Sequence, residues 1–342
     1  MVAVAALVAA TGAASPHVRA TVEIDASHTT QLDSMWRRSV GTGHAALWSR
    51  ADWRAHLRQV AEDIGFEMIR GHGILDNTVM FYDGADANEN GRSENQSSYF
   101  DAFSAIDFML SVKVRPLIEL SFTPDPLNAD WKPGLPVPPV CNHFHYDGCE
   151  TFPTNLTRYT SYIHDFVAAL LARYGEAEVE TWLFEVYNEA DLHWPFSQYA
   201  KLYQAAATGV KAAGPSLRVG GPASAWPTWV GKLIEFCQNQ SVPLDFVTTH
   251  AYPTMYLSRH EADIGNQRYQ LQLARNGSNA DPALPLLITE WSSSPSSRAP
   301  YHDSWQKAAF VVAAVVDAID TPGLNLSAYS FWAFTDVRSP PA

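Results

Sequence analysis

The sequence predicts an α/β protein built as a (β/α)8 TIM barrel, and three observations lead there. Short strand-like runs alternate with longer amphipathic stretches, eight such runs can be counted, and no glycine-rich phosphate loop marks an open doubly wound sheet instead. A length of 342 residues suits a barrel folded as one domain.

The strands are expected, in order, at 38–43 (RSVGTG), 67–73 (EMIRGHG), 115–120 (RPLIEL), 182–189 (WLFEVYNE), 217–222 (LRVGGP), 245–252 (DFVTTHAY), 285–291 (PLLITEW) and 328–334 (AYSFWAF). Several are near-continuous apolar runs, as in parallel strands buried on both faces. Helical periodicity runs over 52–64, opened by Asp52, and over 98–112, 156–174, 197–213 and 302–319. Segment 122–154 is Pro-rich and aperiodic, and it follows the third strand, at the face where a barrel builds its site. The chain stops eight residues after the last strand. That spacing leaves no room for an eighth helix, so either the barrel is incomplete or the chain is a fragment of something longer.

Residues 1–20 are expected to be a leader or a flexible tail, and 21–342 the catalytic barrel. The first sixteen residues are small, apolar and uncharged, like the core of a secretory signal without its basic start. Sequons at Asn95, Asn155, Asn239, Asn276 and Asn325 favour export and glycosylation. Cys141 and Cys149 flank a polar loop and could close a disulfide ring, while Cys237, in the apolar helical stretch LIEFCQ, reads as a buried free thiol. A metal site from Cys141, His143, His145 and Cys149 matches no zinc spacing well, so no metal and no cofactor are expected.

With 46% hydrophobic and 17% charged residues the chain can bury a core. The 36 acidic residues against 23 basic ones disfavour a nucleic-acid partner. No segment reaches the roughly 18 apolar residues of a membrane span. Aromatics are plentiful, with 11 Trp, 14 Tyr and 16 Phe, and serve either the core or the stacking of sugar rings.

Two carboxylates close strands: Glu189 the fourth and Glu290 the seventh. Strand ends converge on one mouth, so this pair could sit at the about 5–5.5 Å separation of a retaining glycosidase, one as acid/base and one as nucleophile. Either Glu alone could equally be a helix cap or a surface charge. Asn188 could bond a sugar 2-hydroxyl. His72 and His250 also end strands, with Tyr252 two residues on. Glu119 and Glu185 fall inside strands and read as internal polar residues of the barrel.

The run GTGHAALWSRADWRAHLRQVAEDIGFEMIRGHGIL, then RPLIELSFTPDPL, FEVYNEADL, VGGPA, DFVTTHAY, LLITEW and YSFWAFTDV, resembles glycoside hydrolase family 39 over 38–338. That family holds β-xylosidases and α-L-iduronidases. The resemblance implies Glu189 as acid/base, Glu290 as nucleophile, and a substrate pocket lined by His72, Phe122, Asn188, His250, Tyr252 and Trp332. The partner it implies is a carbohydrate, most nearly a xylo-oligosaccharide, cleaved at terminal β-linked sugars; location outside the cell is expected from the leader-like start, the sequons and the cysteine pair. An iduronidase-like enzyme, with Arg338 meeting a uronic carboxylate, and an inactive carbohydrate-binding barrel are the alternatives. Two departures stand out. Ala190 replaces the proline usual after Asn-Glu, and Arg338-Ser339-Pro340 replaces the carboxylates that follow the eighth strand in the xylosidases. The family's last barrel helix and C-terminal β-sandwich are missing from the pattern.

Overall fold

A computed structural model describes residues 32–82, 97–124, 127, 150–254, 262–296 and 299–335. Eight parallel strands close a barrel: β1 Val40–His44, β2 Met68–His72, β3 Arg115–Leu120, β4 Leu183–Val186, β5 Arg218–Ser224, β6 Phe246–His250, β7 Leu286–Trp291 and β8 Ala328–Phe331. Each of the seven crossovers carries a helix: α1 Ala51–Asp63, α2 Phe100–Ser111, α3 Leu156–Tyr174, α4 Phe196–Ala213, α5 Val230–Gln240, α6 Ile264–Ser278 and α7 Trp305–Asp320. All eight strands thus lie within or one residue beyond the runs predicted for them, except that β5 extends to Ser224. The seam is narrow. β1 meets β8 through the single register pair Val40↔Phe331, reinforced where Phe334 N donates to Gly41 O at 3.0 Å.

Side chains alternate along each strand, so every second residue fills the lumen in layers. Leu117, Leu183, Phe246, Leu287 and Ala328, with Met68, form an apolar plug at the strand starts. Two residues further along β2, β3 and β4 come Arg70, Glu119 and Glu185, each fully or almost fully buried. A charged layer therefore rests directly on a hydrophobic one. It faces the C-terminal mouth.

Helix starts follow local chemistry. Asn155, Asp263 and Ser304 each accept a backbone N–H three residues on, satisfying donors the first turn leaves open. Asp52 does not open α1 as expected. The helix begins at Ala51 after Arg50, and Asp52, inside the first turn, pairs with that arginine at 2.6 Å. A two-stranded ribbon, Phe81–Tyr82 with Ser97–Ser98, was not foreseen, because two-residue strands leave no period to read.

Cys237 is buried on α5 and is a free thiol. Residues 1–20, expected as a leader or flexible tail, lie outside the described residues with Asn95, Cys141, Cys149, Arg338 and most of segment 122–154. Among the described residues no helix is long and apolar enough to cross a membrane.

Candidate active site

Glu290 reaches the lumen because β7 slips register. Thr249 pairs with Ile288 but His250 pairs with Glu290, leaving one extra residue on β7. Strict alternation would send Thr289 and Glu290 to opposite faces. The irregularity lets both turn inward, Thr289 to Glu185 at 2.9 Å and Glu290 to Arg70 at 2.7 Å. Tyr252 donates its hydroxyl to the second oxygen of Glu290 at 2.9 Å.

Arg70 organises the charged layer. Its guanidinium meets Glu185 at 2.5 Å, Glu119 at 2.6 Å, Glu290 at 2.7 Å and the Asn188 amide oxygen at 2.9 Å. A rigid fork with several donors can satisfy this many acceptors at once, as a lysine cannot. This residue was not singled out from sequence. The signal was present, since an arginine between Ile69 and Gly71 in a buried strand needs buried acids, and Glu119 and Glu185 pair in register across β3 and β4.

Glu189 comes from a turn, not from the strand predicted over 182–189. β4 ends at Val186, and both Tyr187 and Glu189 take left-handed φ values, 67° and 45°. Such backbone is costly for residues with a Cβ and persists only where surroundings enforce it. Here Glu189 N donates to Ala223 O at 2.8 Å, tying the turn to the end of β5. His250, fully buried, holds Glu189 Oε1 with Nδ1 at 2.7 Å and turns Nε2 toward Glu290 Oε1 at 3.6 Å. One oxygen of Glu189, one nitrogen of His250 and one oxygen of Glu290 all lie within 4.8 Å of one another.

The remaining candidates gather around this pair. His72 bonds Glu119 at 2.9 Å and lies 3.3 Å from Glu290. Trp332 packs on His72 with centroids 4.5 Å apart and covers the Arg70 guanidinium at 6.0 Å. Its ring fills the space where a side chain on residue 41 would be, so only glycine fits at Gly41. Phe122, 6.2 Å from His72, completes the wall, its backbone N–H held by buried Asp76 at 3.0 Å. All eight sequence candidates therefore fall in one cluster at the barrel mouth.

Charge decides what the cluster can do. Burial alone would raise Glu290, but His250, His72 and Arg70 together hold its carboxyl well below the usual carboxylate range. Burial would also discharge His72 and His250, yet facing carboxylates raise both above an ordinary histidine. The result is a carboxylate that its neighbours favour as the anion, facing a second, partly exposed one. The three ligand atoms could in principle grip a cation. Arg70 already occupies Glu290 Oε1, however, and His250 Nδ1 is taken up by Glu189 Oε1.

The family model "Glycosyl hydrolases family 39" matches residues 20–339. The chain is 37% identical over 323 residues to a β-xylosidase of Caldicellulosiruptor saccharolyticus, covering 90% of this chain and 62% of that one. It is 30% identical over 335 residues to a β-xylosidase of Geobacillus stearothermophilus, with coverages of 92% and 64%. The structure of a family 39 β-xylosidase from Caulobacter crescentus superposes with a TM-score of 0.74 at 30% identity, over 91% of this chain and 65% of that one. The chain thus spans less than two thirds of the length of these relatives.

Proposed function

We infer the reaction from one premise, that this chain belongs to glycosyl hydrolases family 39, and from the carboxylate pair in its barrel mouth. The proposed activity is hydrolysis of terminal β-linked xylosides with retention at the anomeric carbon. The observation that carries it is the approach of Glu189 and Glu290 oxygens within 4.8 Å. That gap suits direct attack, whereas inversion needs about 6.5–9.5 Å between carboxyl groups to admit a water. Xylose as the sugar rests on the names of the relatives.

In the first step a Glu290 oxygen bonds to the anomeric carbon. The glycosidic C–O bond breaks with its electron pair on the leaving oxygen, which takes the proton of Glu189. In the second, water attacks that carbon, gives a proton to Glu189, and the ester to Glu290 breaks. Arg70 and Tyr252 keep Glu290 ionised and aimed. Asn188 and His72 border the carbon under attack and offer hydrogen bonds to the ring hydroxyls.

Proton NMR of an aryl β-xyloside digest tests this. β-Xylose should form first, and α-xylose first would overturn retention. A panel of nitrophenyl xyloside, glucoside, arabinoside and iduronide tests the sugar, with the xyloside expected fastest.

A further inference from the structure

We propose that Glu119 is a positioning residue of this site, holding His72 as the cation that faces the Glu290 carboxylate. This rests on the hydrolase reading above and adds to it the residue that governs the nucleophile's charged neighbour.

Each nitrogen of the His72 ring meets an acid. Nδ1 lies 2.9 Å from Glu119 Oε2, and Nε2 lies 3.3 Å from Glu290 Oε1. A neutral imidazole carries one N–H and one lone pair, so one of the two carboxylates would then face a lone pair. The cation donates to both. Glu119, fully enclosed on β3, is placed to enforce that form. Ser121 donates its hydroxyl to Glu119 Oε1, and Arg70 meets Oε2 at 2.6 Å. Ser121 Oγ in turn accepts the N–H of Gly73, the residue after His72, at 3.0 Å. The backbone that carries His72 and the acid that charges it are thus locked together.

The other groups around the ring do not hold its charge. Burial would discharge it; the Glu119 charge and hydrogen bond come next in size and act against burial, Glu290 adds to them, and Arg70 opposes. His44, at the end of β1, is kept neutral, first by desolvation and then by His72, with its value at about 3. Phe122 and Trp332 complete the surroundings without charge. Glu290 Oε1 has two further cationic neighbours, but Arg70 keeps its proton at any working pH and His250 is bound to Glu189. His72 is therefore the one whose charge is set from outside the carboxylate pair.

Glu119→Gln tests this through a sign. Directly, one anion fewer in the layer eases ionisation of Glu290 and moves the acidic limb of kcat/KM on an aryl xyloside down. Through His72, loss of the cation moves that limb up, and an upward shift of about one pH unit or more is expected. A limb that stays or moves down would overturn the proposal. Nitrogen NMR of histidine-labelled protein reads the ring itself, its signal assigned by its loss in His72→Asn. In the wild type both ring nitrogens should carry protons over about pH 6–8, and in Glu119→Gln the ring should lose its charge at lower pH. A neutral His72 in the wild type at about pH 7 would overturn the proposal even if the variant does not fold. A wild type that cleaves no aryl glycoside but whose His72 titrates as expected would overturn the hydrolase reading and leave the hold of Glu119 on His72 standing.

Discussion

His250 Nδ1 lies 2.7 Å from Glu189 Oε1 and takes its fixed place from burial on β6, so one imidazole spaces the two carboxylates that face each other across the mouth. That ring links them, bonded to one and 3.6 Å from the other.

That coupling should appear in stability against pH. His250 and His72 have raised folded values, so their contribution is complete below the unfolded value of about 6.5 and is lost as pH climbs through the folded one. Glu290 and Glu119 are depressed, so theirs holds above about 4.5 and is lost only in strong acid. Melting temperature should therefore decline above neutrality in the wild type and decline less in a His72→Asn/His250→Asn variant. Parallel curves over about pH 6–9 would contradict this.

Glu189→Ala should cut kcat/KM on xylobiose by about 10²–10⁴-fold, the usual worth of a positioned acid. Dinitrophenyl xyloside should lose far less in its glycosylation step, because its leaving group departs without a proton. Azide should then restore turnover and release β-xylosyl azide. Equal losses on both substrates would remove Glu189 as the acid.

Arg70→Met leaves Glu119, Glu185 and Glu290 buried without their shared cation. Breaking a buried ion pair from one side costs about 3–5 kcal/mol, and urea unfolding should register a loss of that order. Arg70→Lys should recover only part, since one ammonium cannot meet all four partners. A change within about 1 kcal/mol for the methionine variant would show that the carboxylates do not depend on it.

Thiol counting separates the cysteines. Burial pushes the Cys237 thiol up to about 12, so it should not react in the native protein. Unreduced, denatured protein should present one thiol if Cys141 and Cys149 are bonded to each other. Three would exclude that bond.

The barrel was legible because its strands are buried on both faces and announce themselves as apolar runs between amphipathic stretches. Glu290 and Glu189 were legible for a cruder reason, as acids closing such runs. Their geometry was not. The register slip that turns Glu290 inward depends on pairing between β6 and β7, and the left-handed turn at Tyr187 and Glu189 depends on the end of β5. Neither leaves a mark on local periodicity. Arg70 escaped for a related reason, since a lone charge in a strand gains meaning only when the acids one and two strands away are known to share its layer.

The narrow seam between β1 and β8 has a consequence for how the protein comes to exist. Trp332 follows β8, rests where Gly41 of β1 leaves it room, and donates its backbone N–H to Trp291 at the end of β7. Its ring lies against both His72 and Arg70. Of the eight strands β1 is made first and β8 last, so Arg70, Glu119, Glu185 and Glu290 all precede the strand that closes the barrel around them. The pocket can therefore be complete only once β8 has met β1.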